Sequence, residues 1–305
     1  MAFDLQRFYR ELDASYDAHD LAATERFLLS AREASRQDPV ITSGSEGCMS
    51  CAPQIAVNLD YVCVCSELGC FYRGLSRWRE SIAAFEQAQS EMEQYYATDN
   101  PEYGVVLLNK AGAYRYMGDL PAALAAFEQA RKRLEASDKT PPLTLAGLYN
   151  NIGLVRLDLR EAEAALSLFD RAMALLGAPE EHPTEYGTTC NNLATAYGRL
   201  GKMEEAAAAA DRAIDTLSAL DGGDNCHYPA ALNTRGLLRY RQGDAAGALA
   251  DFTLAAEKTR LCYGENIEYV NACANCAACC EWLGDASGAL AWHAKERAVS
   301  ARLKP

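Results

Sequence analysis

The chain has 305 residues, 50% of them hydrophobic, and a formal net charge of −13 at pH 7. That balance argues against a nucleic-acid partner, because phosphate binding needs an excess of Lys and Arg. No apolar run approaches the roughly 18 residues of a membrane span, and Met1-Ala2-Phe3-Asp4-Leu5-Gln6-Arg7 has no secretory apolar core.

In chain order, residues 1–53 read as a divergent N-terminal helical hairpin plus a loop. The hairpin occupies 4–36, with Asp20 capping a second helix that carries Leu21, Phe27, Leu28 and Ala31. Thr42-Ser43-Gly44-Ser45-Glu46-Gly47-Cys48 follows as a breaker-rich loop. Residues 54–305 then divide into six helical hairpins, near 54–98, 101–137, 142–177, 184–220, 227–260 and 266–303. Their connections are punctuated by Asp99-Asn100-Pro101, Pro141-Pro142, His182-Pro183, Asp221-Gly222-Gly223 and Tyr263-Gly264. The charged Lys295-Glu296-Arg297, with Trp292 and His293, reads as a polar end to the array.

Fixed columns mark the six hairpins as one repeating unit. Near the end of each second helix stand Phe85/Ala88, Phe127/Ala130, Phe169/Ala172, Ala210/Ala213, Phe252/Ala255 and the degraded His293/Glu296, recurring every 41 or 42 residues. The first helix of each hairpin has a tiny residue: Gly69, Ala111, Gly153, Ala194, Gly236, Ala277. The inter-helix turn reads Ser76, Gly118, Arg160, Gly201, Gly243, Gly284, and a second small column reads Ser81, Ala123, Ala165, Ala206, Ala248, Ala289. Tiny residues at fixed sites let two helices approach closely while the Phe fills the space between hairpins. A period of this length is the mark of a stacked array.

The pattern resembles the tetratricopeptide repeat, which has small residues at its eighth, twentieth and twenty-seventh positions, Tyr at the eleventh and Gly at the fifteenth. Asn191-Asn192-Leu193-Ala194-Thr195-Ala196-Tyr197-Gly198-Arg199-Leu200-Gly201, followed by Glu204-Glu205-Ala206, carries the resemblance closely. The long period and His182-Pro183-Thr184-Glu185-Tyr186 are similar to kinesin-light-chain repeats. The resemblance implies an all-α fold, a right-handed α-α superhelix of about seven hairpins with 54–305 as one continuous solenoid, whose concave face holds ligands.

With the tiny residue of each first helix numbered 8, positions 4, 7, 8 and 11 cluster on one side at 100° per residue, and positions 2, 5, 6, 9, 12 and 13 on the other. The first side must pack. The second carries Asn109, Asn151, Asn192 and Asn275 at position 6, and Asn150, Asn191 and Asn233 at position 5. Asn is a poor helix former, so a ladder of it needs a reason. A carboxamide can match both N–H and C=O of an extended peptide, and the resemblance implies that role. The same amides could instead bond to neighbouring repeats and hold register. Arg73, Arg115, Arg199 and Arg241 at position 12 or 13 add a basic stripe suited to carboxylates, or pair with surface acids.

Lys110 and Arg235 at position 7, and Arg156 and Arg239 at position 11, fall on the packing side. A buried charge needs a partner; either these side chains reach the groove wall or acids such as Asp158 and Glu268 meet them. Tyr61, Tyr103, Tyr186, Tyr228 and Tyr269, with Leu145 in the remaining repeat, precede each first helix and read as wedges between repeats.

Of the twelve cysteines, Cys48 and Cys51 form a CxxC in the loop, and Cys273, Cys276, Cys279 and Cys280 crowd one helix. Three of that helix's four thiols fall on packing positions, where Cys behaves as a small hydrophobe, so neither a disulfide framework nor a metal site is expected and the chain reads as cytoplasmic. His19, His182, His227 and His293 share no triad or metal spacing. No catalytic residue, metal or cofactor is expected. The sequence thus reads as a non-enzymatic scaffold holding an extended peptide or partner tail of acidic character, with neither nucleic acid nor membrane as partner. The alternative is a peptide-responsive regulator acting through protein partners.

Overall fold

The computed structural model describes residues 3–36, 40–42, 54–95, 100–220 and 225–303. The CxxC pair and the Asp221-Gly222-Gly223 connection lie outside them. The chain forms two compact units, 1–140 and 141–305.

In the first unit, α1 (Leu5–Asp17) pairs with α2 (Leu21–Arg36), α3 (Leu59–Gly74) with α4 (Trp78–Gln94), and α5 (Pro101–Met117) with α6 (Leu120–Glu135). Successive hairpins meet through α2 with α3 and α4 with α5. Asp20 caps α2 as expected, accepting from the Ala23 N–H at 2.9 Å. Two three-residue strands, β1 (Val40–Thr42) and β2 (Gln54–Ala56), pair antiparallel with Val40 opposite Ala56. The sequence reading had the loop region at β1 and the start of the first array hairpin at β2, whereas helix begins only at Leu59.

The second unit stacks four hairpins: α7 (Pro142–Asp158) with α8 (Ala162–Leu176), α9 (Pro183–Arg199) with α10 (Met203–Ser218), α11 (Tyr228–Arg241) with α12 (Ala245–Tyr263), and α13 (Ile267–Trp282) with α14 (Ala286–Leu303). Each hairpin's second helix lies against the next hairpin's first. The fold is all-α apart from the short β ladder.

The columns have the roles their residue types require. Phe85, Phe127, Phe169 and Phe252 are fully buried, as are Ala111, Ala194 and Ala277. The Phe rings sit over the tiny residues: a Cβ added to Gly153 would lie 2.4 Å from the Phe169 ring, and one added to Gly69 2.7 Å from Phe85. All six turn residues are left-handed, including Ser76 (φ 61°) and Arg160 (φ 65°), where no glycine supplies that conformation. Where Ser81 replaces the usual Ala, its buried hydroxyl donates to the Gly69 carbonyl at 2.7 Å. Tyr61, Tyr103, Tyr228 and Tyr269 are buried and Tyr186 half-buried, a placement that fits wedging. On the last hairpin the end is less polar than its charged run suggests: Leu290 is 67% exposed, with Trp282 and Leu283 also open.

Candidate functional site

The face opposite the packed columns keeps its amides only partly open. Asn109, Asn151, Asn191, Asn233 and Asn275 are half-buried, while Asn150 and Asn192 are buried. In the second unit several of these side chains bond to one another between repeats. Asn192 donates through Nδ2 to Asn150 Oδ1 at 3.1 Å, Asn150 donates onward to Thr189 Oγ1 at 2.7 Å, and Thr189 donates to the Glu185 carbonyl. Between α11 and α13, Asn275 donates to Asn233 Oδ1 at 2.9 Å. Asn151 bonds within its own helix, to the Gly147 carbonyl at 2.8 Å. The Asn191 Oδ1 is enclosed and has no hydrogen-bond partner.

Three of the four arginines of the stripe reach backbone carbonyls. Arg199 donates to the Leu157 carbonyl and Arg241 to the Gly198 carbonyl at 3.2 Å, each in the last turn of the preceding repeat's first helix. Each of those carbonyls also accepts a turn N–H, Leu157 from Arg160 at 2.9 Å and Gly198 from Gly201 at 3.4 Å, so the guanidinium takes the remaining lone pair and lies at the negative end of the helix dipole. In the first unit Arg73 donates to the Asn109 carbonyl at 3.3 Å, and Arg115 lies 5.2 Å over the Tyr116 ring.

That unit's inner face also contains carboxylates the asparagine pattern concealed. Glu67 stands where Asn109 and Asn151 stand in later repeats; burial, then the nearby Asp13 carboxylate, pushes its pKa up. Burial likewise raises Glu102, and it raises the Cys63 thiol to about 11. Tyr9 lies beside both Cys63 and Glu67. The signal was present, since position 6 of the first repeat reads Glu rather than Asn.

The packing-side charges resolve differently from expectation. The acid meeting both Arg235 and Arg239 is Asp251 on α12. Arg235 grips it with two bonds, Nε to Oδ2 at 3.1 Å and a terminal nitrogen to Oδ1 at 2.8 Å, and Arg239 adds a third at 2.9 Å. Arg156 pairs with Glu161 at 2.7 Å, and Lys110 donates to Gln89 at 2.5 Å. The thiols of Cys273, Cys276, Cys279 and Cys280 are buried, and burial raises all four; Cys276 is pushed up to about 12. Among the described residues no group of three or more His, Cys, Asp or Glu could hold a metal ion, and no helix is long and apolar enough to cross a membrane.

Residues 63–136 and 144–219 match the tetratricopeptide repeat family model. Over those residues the chain carries tetratricopeptide repeats. No curated protein matches its sequence. Among solved structures it is similar to a Rap protein complexed with competence and sporulation factor (15% identity, 97% of this chain and 74% of that one, TM-score 0.71). It is also similar to BtubC (BKLC) from P. vanneervenii (20% identity, 74% and 92%, TM-score 0.57) and to the apo quorum sensor NprR from B. thuringiensis (11% identity, 97% and 87%, TM-score 0.55). At these identities the likeness concerns the fold, and it identifies the columns of Phe and tiny residues as tetratricopeptide-repeat packing.

Proposed function

We propose that this chain is a non-enzymatic scaffold that holds an extended peptide or partner tail along the non-packing faces of its first helices. The observation that carries the reading is a contrast within single helices. The tiny residues at position 8 are fully buried, while two positions earlier Asn109, Asn151 and Asn275 remain half-open and polar. A helix keeps poor helix formers on an accessible face at a cost in propensity, and an amide there can exchange a water or own-helix bond for a ligand's backbone.

The amides then divide by role. Asn150 and Asn192, buried and bonded to each other, hold the shape of the binding face, as do Arg199 and Arg241 through the helix-end carbonyls. In the first unit Asn109, with Arg73 and Arg115 on the same face, is the ligand-facing set; in the second unit it is Asn151, Asn233 and Asn275, while the enclosed Asn191 belongs with the buried amides. At about 0.5–1.5 kcal/mol per amide and about 1.5–3 per arginine, the set of either unit supplies at most roughly 8 kcal/mol. An association cost of about 4–15 kcal/mol opposes this, so apolar anchors or further protein surface must contribute. A cytoplasmic setting accords with the reduced, core-packed cysteines.

The regulator reading gains from one specific likeness, the fold shared over 97% of this chain with a Rap protein complexed with competence and sporulation factor. On that reading the same face takes the peptide and a protein partner responds.

The test is peptide selection against the full chain from a display library, then titration calorimetry with the selected peptide. Asn109→Ala or Asn151→Ala should weaken binding by about 2- to 13-fold, the equivalent of one hydrogen bond. Unchanged affinity in both variants would remove the proposed face from the interaction.

A further inference from the structure

Side chains bridge α11 and α13 at two places on their non-packing faces. At the first, Asn275 donates to Asn233 Oδ1 at 2.9 Å. Seven residues further along each helix, the Trp282 ring stands edge-on to Tyr240, with centroids 4.8 Å apart and planes at 81°. At 1.5 Å per residue the two bridges lie about 10 Å apart. The helices themselves do not close the space, since the α11 backbone approaches α9 more closely than α13.

Between the bridges the face is apolar. Leu237, one turn from Asn233 and one from Tyr240, is 39% exposed, and Ala278, one turn beyond Asn275, is small and half-buried. Trp282 is 56% exposed, whereas Tyr240 is held by packing against the cluster of Phe252, Cys276 and Cys279. A single exposed apolar residue needs no explanation, but apolar residues grouped on one face and rimmed by polar groups mark a binding surface.

We infer that the strip between Asn233/Asn275 and Tyr240/Trp282 is the anchor site for one large apolar side chain of an extended peptide. The inference rests on the proposed peptide-holding role and supplies the apolar contribution that the amides and arginines leave wanting. The chemistry selects the occupant. Amides at one end complement the N–H and C=O of a peptide backbone, which the apolar face of a partner helix does not offer. A span of about 10 Å takes about three residues of extended chain at about 3.3 Å each. The middle residue, turned towards the protein, falls over Leu237 and Ala278 and packs against the open face of Trp282. Arg241, exposed one residue beyond Tyr240, bonds to the Gly198 carbonyl through one terminal nitrogen. A guanidinium has five N–H donors, so Arg241 also complements an acidic residue in the same peptide.

The experiment follows the side-chain indole and amide resonances of the 15N-labelled full chain during titration with three blocked serine heptapeptides. These carry phenylalanine, leucine or a further serine at the centre. Trp282→Phe and Asn275→Ala identify the two reporter signals. The phenylalanine and leucine peptides should shift both signals along one isotherm, with affinities at least about tenfold above the all-serine peptide. Leu237→Ser, a change at an exposed position, should remove that preference while the protein melts like the wild type. Equal affinity for all three peptides, with the amides still shifting, would overturn the anchor site and leave the amide face standing. Shifts at neither reporter, nor at Asn109 or Asn151, would overturn both. A Trp282 signal that moves on dilution of the protein alone would give the strip to a second copy of the chain and overturn the assignment.

Discussion

Replacing Asp251 by Ala tests the structure's account of the charges inside a packed hairpin. The carboxylate is 5% exposed and accepts three charge-assisted bonds, while Arg235 and Arg239 retain 22% and 35% of their side-chain exposure. Breaking a buried ion pair from one side costs about 3–5 kcal/mol, because the remaining charge stays desolvated. Here the remaining charges are two guanidiniums that still reach water, so the expected loss is smaller, about 2–3 kcal/mol. In a unit of this size that lowers the melting midpoint by about 4–12 °C. Circular dichroism melts and urea titrations of the two proteins measure it. The triple variant Asp251→Leu/Arg235→Met/Arg239→Leu should recover most of the loss, since apolar replacement of a whole buried charge group is often neutral. A single variant within about 0.5 kcal/mol of wild type, the range of an ordinary surface change, would refute the reasoning. So would a triple variant as damaged as the single one.

Gly153→Ala places a methyl against the fully buried Phe169 ring and should destabilise by about 1–3 kcal/mol in chemical denaturation. Arg160→Gly should stabilise by about 1 kcal/mol, because Arg160 holds a left-handed backbone at φ 65° that glycine adopts without strain. His293 bonds to Glu296 and then Glu281, which together raise its pKa above the ordinary 6.5. Its contribution is therefore fully present below 6.5 and is lost as pH rises through the raised value. NMR titration should find that imidazole midpoint above 6.5, and His293→Gln should flatten the corresponding slope of stability against pH.

The repeat architecture was legible because it depends on steric columns within and between adjacent helices. Gly153 under Phe169 and the left-handed turn residues follow from residue size and backbone freedom alone. The site was less legible because a helical wheel gives a side chain's direction but not its reach. Arg199 and Arg241 leave their helices on the expected face, yet their long side chains turn to the preceding repeat's terminal carbonyls. Asn150 and Asn192 also lie on that face, but at the seam where consecutive first helices touch, so their amides meet each other. Asp251 escaped notice because it is on the partner helix, out of sight of a wheel drawn for α11. The β1–β2 pairing was hidden for another reason: three-residue strands carry too little periodicity to stand out beside a Gly- and Ser-rich stretch.

The most direct measurement of the binding claim is side-chain amide NMR of the 15N-labelled chain during titration with a selected peptide. The account predicts that the Asn109 or Asn151 Nδ2 resonances shift and saturate with the binding isotherm, while the Asn150 and Asn192 amides keep their slow exchange. Shifts confined to the exposed second-helix surface, around Glu163 or Ala250, with Asn109 and Asn151 unmoved, would contradict it.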